Sequence, residues 1–157
     1  MAVIDAIIER MYAKDAKGLA AIANYRENKC VARVEGSGAP PQCPAGVTDG
    51  TLVKVLSGGQ CEGFWIFPDQ AADSFGRWVE RFGLWAVWLQ ESDGGPNGRS
   101  IGTYGIYVTG QAAPGAPVVE RTMFIKDGVI EALFFGCSRG PSSNPPAGAR
   151  FILPPPQ

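Results

Sequence analysis

The side chains that could do chemistry in this chain are few, and none of its 157 residues is a histidine. Without imidazole the chain lacks the group that titrates near neutral pH, the commonest metal ligand and the base of Ser–His and Cys–His pairs. Acid–base chemistry would therefore depend on carboxylates and tyrosines. No metal-ligand spacing or nucleotide-binding motif is present, so we expect neither a metal nor a cofactor, and no catalytic residue is identified.

Four cysteines, Cys30, Cys43, Cys61 and Cys137, have no CxxC spacing, which makes structural zinc improbable and leaves disulfides or buried free thiols as equal alternatives. A disulfide between Cys43 and Cys61 is the first choice, because both lie in Gly/Pro-rich segments and the bond would pin a long insertion. Cys30 with Cys137 is the second choice. Residues 59–63, GQCEG, have the shape of a nucleophile elbow, but without a histidine a hairpin loop or half of a disulfide is the better interpretation.

Arg121 is the best candidate for a polar ligand anchor. Its strand is followed by Asp127-Gly128, which predicts a tight type I′ hairpin and a register that pairs Arg121 with Phe134. One face then carries Arg121, Met123, Ile125, Ile130, Ala132, Phe134 and Gly136, and the other carries Glu120, Thr122, Phe124, Lys126, Glu131, Leu133 and Phe135. We assign the first face to the helix-covered side. A guanidinium there needs a carboxylate, carbonyls or an anionic ligand to offset its desolvation, and a structural ion pair is the alternative.

Aromatic residues supply the other candidate ligand contacts. Tyr12 and Tyr104 could present hydroxyl groups to a ligand, and Trp88 could form an aromatic wall of an apolar pocket. Strict alternation along 84–91 places Trp85 and Trp88 on opposite faces of one strand. An apolar convex face through Trp85, Val87 and Leu89 would favour a homodimer through the sheet.

Hydrophobic periodicity predicts the elements that must position these residues. Helices are expected over 3–12, over 16–24 with Asp15 as its cap, and over 68–82 with Pro68 at its start. Strands are expected over 30–34, 52–56, 61–67, 84–91, 101–109, 118–126 and 129–137. The fold class is therefore α+β, with N-terminal helices and a third helix packed on a curved, mainly antiparallel sheet. Residues 1–137 form one domain with a Gly/Pro/Cys-rich insertion at 36–50. Residues 138–157 form an extended Pro-rich tail that docks through its apolar triplet at 151–153.

Composition limits the partners. A net charge of −1 without a basic stripe argues against nucleic acid, and no apolar run is long enough to span a membrane. The N-terminus has no signal-peptide pattern, which indicates a cytoplasmic protein as written, or an exported one if a leader was removed.

Two segments resemble the nuclear transport factor two-like superfamily, in its SnoaL-like and ketosteroid-isomerase-like branch. YAKDAKGLAAIA at 12–23 resembles the family's opening helices, and RTMFIKDGVIEALFFG at 121–136 resembles its closing hairpin. The resemblance implies a cystatin-like cone of curved sheet with a pocket at its wide end, often in a dimer. The family's Tyr/Asp isomerase set does not carry over to the matching positions, where Ile7 or Ile8 and the Glu35-Gly36 region stand.

Together these patterns predict a domain that binds an apolar small molecule, either without catalysis or as a cofactor-independent acid–base isomerase, hydrolase or cyclase. The alternative is a non-catalytic interaction or scaffold module, disulfide-braced if exported, with its cavity filled by its own aromatic side chains.

Overall fold

A computed structural model of the chain describes residues 2–36, 38–59, 64–91, 103–111, 113–135 and 143–157. These residues form α1 (Ala2–Tyr12), α2 (Ala16–Ala21), β1 (Arg26–Lys29), β2 (Leu52–Gly59), β3 (Phe64–Ile66), α3 (Pro68–Arg81), β4 (Phe82–Gln90), β5 (Tyr104–Gln111), β6 (Val118–Lys126), β7 (Val129–Phe135) and β8 (Ala149–Leu153). The helices pack on one mostly antiparallel sheet, which confirms the predicted α+β class.

Local signals place the helices. Asp15 caps α2 as predicted, because its Oδ1 accepts a hydrogen bond of 2.8 Å from the backbone N–H of Gly18. Pro68 occupies the first turn of α3, where backbone N–H groups have no acceptor within the helix, so the absence of an N–H in proline does not destabilise it. The second helix ends earlier than predicted, because the chain after it pairs with β7: the N–H of Asn24 donates to the carbonyl of Ile130 at 2.9 Å.

The strands hydrogen-bond in the order β1-β2-β7-β6-β5-β4-β8, and β3 pairs with β2 off this path. All pairs are antiparallel except β2 with β7. The predicted strand at 30–34 is wrong, since the first strand ends at Lys29 and Val31 makes only an isolated bridge to Gln42. In the predicted tail, residues 149–153 dock as expected, but as the sheet strand β8 beside β4.

The closing hairpin begins as predicted and then departs from the predicted register. Asp127 and Gly128 have φ values of 49° and 85°, and Ile125 pairs with Ile130. The register shifts at the next step, so that Phe124 pairs with Ala132 and Glu131 is the extra residue of a bulge.

Beyond this bulge, the side chains of Ala132, Leu133 and Phe134 lie on the faces opposite to the predicted ones. Leu133 is fully buried under the helices, whereas Phe134 lies outside and is 41% exposed. The predicted placements of Ala132 and Phe134 beside Met123 are therefore wrong. Arg121 keeps its predicted side, because the bulge is in the partner strand.

Buried contacts of Glu131 explain the bulge position. Its carboxylate forms an ion pair with Arg26 and accepts a hydrogen bond of 2.9 Å from the side-chain amide of Asn24. Both partners lie more than 100 residues away in the sequence. A buried carboxylate requires such partners, and they can be recognised only in the folded chain.

Two hydrophobic clusters lie on the two faces of the sheet. The inner cluster, under the helices, includes Phe75, Trp78, Val87 and Met123. The outer cluster consists of Ala86, Trp88, Tyr107, Phe124 and Ala132, with Trp85, Ala149 and Phe151 packed against it. A second bulge at Trp85 breaks the alternation of β4, so Trp85 and Trp88 share the outer face. The predictions that they oppose each other and that Val87 is convex are wrong.

Candidate functional site

A pocket of about 140 Å³, which we call the arginine pocket, opens between the C-terminal half of α3, β3 and β6. The helix contributes Ser74, Arg77, Trp78 and Arg81, which recur at three- and four-residue spacing and therefore share one helix face. Phe82 and Arg121 complete the polar and aromatic wall, and Phe64 and Ile66 of β3 form the apolar side. Three guanidinium groups thus line one small opening.

The arginines of α3 lie at the rim. Arg77 and Arg81 are exposed, and a guanidinium nitrogen of Arg77 donates to the hydroxyl of Ser74 at 3.3 Å. Arg81 lies in the last turn, where the helix dipole favours a cation.

Arg121 lines the pocket from the sheet side and lies over two aromatic rings. Its guanidinium carbon is 4.2 Å from the ring centroid of Phe82 and 5.4 Å from that of Trp78. A guanidinium carbon within about 6 Å of an aromatic ring centroid is attracted to the face of that ring. Phe82 and Trp78 therefore stabilise the charge of Arg121 at this position.

Positive charge is nevertheless disfavoured at the position of Arg121. Burial, with a smaller contribution from the nearby charge of Arg81, lowers the pKa of Arg121 from its usual value to about 10. Arg121 remains protonated at neutral pH. Among the described residues that line the pocket, none is acidic.

The other predicted ligand residues do not join Arg121. Tyr104 is half-buried at the start of β5 opposite Ile125, four residues along β6 from Arg121, which corresponds to about 13 Å along a strand. Tyr12 is 70% exposed at the end of α1. Trp88 is buried in the outer cluster, on the opposite face of the sheet.

Sequence reasoning missed Ser74, Arg77 and Arg81. Their helical spacing within 68–82 is visible in the sequence, but it is also typical of an ordinary solvated helix face. Only the packing of α3 over β6 shows that this face meets Arg121.

A second pocket, which we call the loop pocket, has a volume of about 220 Å³ and lies between the insertion and β3. The insertion contributes Val34, Ala39, Pro40 and Gln42. Phe64, Trp65 and Phe67 contribute the other side. The indole N–H of Trp65 donates to the carbonyl of Ala39 at 2.9 Å, which fastens the insertion to β3.

A disulfide between Cys30 and Cys43 closes the base of the insertion, so both predicted pairings, Cys43 with Cys61 and Cys30 with Cys137, are wrong. The insertion folds back on the end of β1, where the N–H of Cys43 donates to the carbonyl of Val31 at 2.9 Å. This short return brings the two cysteines together. Cys61 and Cys137 lie outside the described residues, as do residues 60–63 of the elbow-like segment.

Within the described ranges, no helix has the length and apolar character needed to cross a membrane. The same residues contain no cluster of three or more acidic or cysteine side chains suited to a metal ion. No family model, curated protein or solved structure matches this chain. The resemblance to the nuclear transport factor two-like superfamily therefore stays a prediction.

Proposed function

We propose that this protein is a small-molecule-binding domain whose pocket holds an anionic group of its ligand between Arg77, Arg81 and Arg121. The observation that carries the proposal is the convergence of three guanidinium groups and the Ser74 hydroxyl on one pocket with aromatic walls.

Like charges held around one partly buried opening repel one another, and the charge of Arg81 adds to the effect of burial in lowering the pKa of Arg121. An anion between them would offset that repulsion. Guanidinium groups suit this task, because their paired N–H donors match the oxygens of carboxylates, sulfates and phosphates. The pocket volume of about 140 Å³ suits a head group of a few heavy atoms rather than a whole large ligand.

A binding role has more support than catalysis. Of the described residues around the pocket, Ser74 has the only hydroxyl group, and none is a carboxylate or tyrosine that could act as a general base. The aromatic and arginine side chains orient and neutralise a ligand but do not move a proton at neutral pH.

A second candidate function is a non-catalytic interaction module that forms a homodimer through the outer sheet face. Side chains such as Phe75, Trp78 and Met123 fill the space between helices and sheet, which favours a module without a deep ligand cavity. On the outer face, Phe134 is 41% exposed beside Phe124, with ring centroids 6.3 Å apart. Sedimentation velocity tests this candidate: a dimer that Phe134→Ser converts to monomer supports it, and a monomer at all concentrations rejects it.

Ligand binding is best tested with ethyl sulfate, a permanently charged anion, in an NMR titration at constant ionic strength. We expect a saturable shift of the Trp78 indole resonance. Arg77→Gln and Arg121→Gln should each weaken binding at least about tenfold, as expected for loss of a charge-assisted hydrogen bond. Lys126→Gln removes the same charge from an exposed position on the same strand as Arg121 and should leave binding unchanged. Equal affinities in all four proteins would reject the proposal.

A further inference from the structure

The arginine pocket and the loop pocket share one side chain, Phe64, which lines both. Its ring packs directly on Gly58 of the paired strand, where a Cβ atom would come within 2.1 Å of the ring. Phe64 is therefore held by close packing against the sheet. Phe64 is the one side chain that the two described linings have in common, so the two pockets adjoin at this ring.

The two pockets differ in chemistry. Arg77, Arg81 and Arg121 line the first. The described lining of the second has no charged side chain, and its polar groups are the amide of Gln42 and the indole N–H of Trp65, which donates to Ala39. Charge at one end and apolar surface at the other are complementary to an amphiphile. A simple inorganic anion would use only the first pocket, and an uncharged apolar compound only the second.

We propose that the ligand is an amphiphilic anion, with its acidic head group in the arginine pocket and its apolar tail across Phe64 in the loop pocket. This inference rests on the proposed function, because it adds a tail site to the same head-group site. The disulfide of Cys30 and Cys43 and the hydrogen bond from Trp65 to Ala39 have a role in it: they hold the insertion that forms the outer wall of the tail site.

The test is a calorimetric titration with a series of n-alkyl sulfates from ethyl to octyl, each below its micelle concentration. The head group stays constant while the tail grows. We expect the affinity to rise about threefold to fourfold for each methylene that enters the loop pocket, and then to level off once the pocket is full.

Charged substitutions in the loop pocket separate the tail site from the head-group site. Val34 is 46% exposed, so Val34→Asp should fold normally, and Ala39→Asp leaves the backbone carbonyl that Trp65 contacts. Both variants should bind ethyl sulfate like the wild type and lose at least about tenfold in affinity for octyl sulfate. Val118→Asp is the matched control, because Val118 is equally exposed, at 47%, and lines neither pocket. It should bind octyl sulfate normally.

Two results would overturn the inference while leaving the proposed function intact: octyl sulfate binding no tighter than ethyl sulfate, or a chain-length dependence that persists in both loop-pocket variants. The proposed function fails separately if Arg121→Gln binds every member of the series as the wild type does.

Discussion

Replacing Gly110 with alanine tests how β4 and β5 meet beneath the arginine pocket. Gly110 pairs with Phe82, and a Cβ atom at this position would lie 2.0 Å from the carbonyl oxygen of Arg81. Cβ atoms essentially never lie closer than 3.0 Å to another heavy atom. The backbones of the two strands would therefore have to separate by about 1 Å at this point. The opposing atom is backbone, so no side-chain rotation can relieve it.

We expect Gly110→Ala to lower the free energy of unfolding by about 2 kcal/mol. Overpacking of this kind costs about 1–3 kcal/mol. The smaller entropy loss of alanine on folding recovers at most about 1 kcal/mol of that. For a chain of this length, the net change corresponds to a fall in Tm of about 4–8 °C.

Gly83 provides a matched control on the same pair of strands. It neighbours Phe82 in β4, and a Cβ atom there meets nothing within 4 Å. Gly83→Ala should therefore be neutral or slightly stabilising. Urea and thermal unfolding measure the free energies of unfolding of both variants. Equal stabilities would refute the close contact described between Gly110 and Arg81. Because Arg81 and Phe82 line the arginine pocket, Gly110→Ala should also weaken ethyl sulfate binding.

Three further predictions use the same measurements. Reduction of the disulfide should cost about 3 kcal/mol in urea unfolding, and peptide mapping should join Cys30 to Cys43; a Cys43–Cys61 peptide would contradict the structure. Glu131→Ala should lower the free energy of unfolding by about 1–3 kcal/mol, because it removes a buried carboxylate with two partners. Glu35→Ala, in an exposed ion pair, should change it by under about 0.5 kcal/mol. Equal effects would refute the stabilising role of the Glu131 contacts at the bulge. The affinity for ethyl sulfate should stay constant between about pH 6 and 8, because Arg121, with its pKa lowered to about 10, loses its charge only as the pH rises through about 10. A fall in affinity between about pH 6 and 8 would place another titrating group in the site.

Signals confined to a few neighbouring residues were sufficient to predict most of the elements. The cap at Asp15, the helix start at Pro68 and the turn at Asp127-Gly128 each depend on backbone geometry that the local residues set themselves. Each feature is present at its predicted position.

Alternation along a strand was less reliable, because a single bulge reverses the faces of every residue beyond it. The bulge at Glu131 accompanies its pairing with Asn24 and Arg26, and the bulge at Trp85 allows both tryptophans of β4 to pack on the outer cluster. These determinants are contacts between distant parts of the chain. Local periodicity contains no information on them.

The candidate site likewise combines a residue that local sequence patterns predicted with residues that only the tertiary packing reveals. Arg121 was predicted on the helix-covered side, and its placement is confirmed because the bulge lies in the neighbouring strand. Its companions Arg77 and Arg81 depend on how α3 crosses the sheet, which no spacing along the chain determines. Tyr104, Tyr12 and Trp88 have suitable chemistry but lie elsewhere.

The central claim, that the three arginines hold an anion, is tested most directly by a crystal structure with selenate, whose selenium scatters anomalously. The account predicts an anomalous peak within hydrogen-bonding distance of the guanidinium groups of Arg121 and Arg77, and its loss in Arg121→Gln crystals. A pocket filled by a carboxylate of the chain itself, with no peak at the arginines, would contradict it.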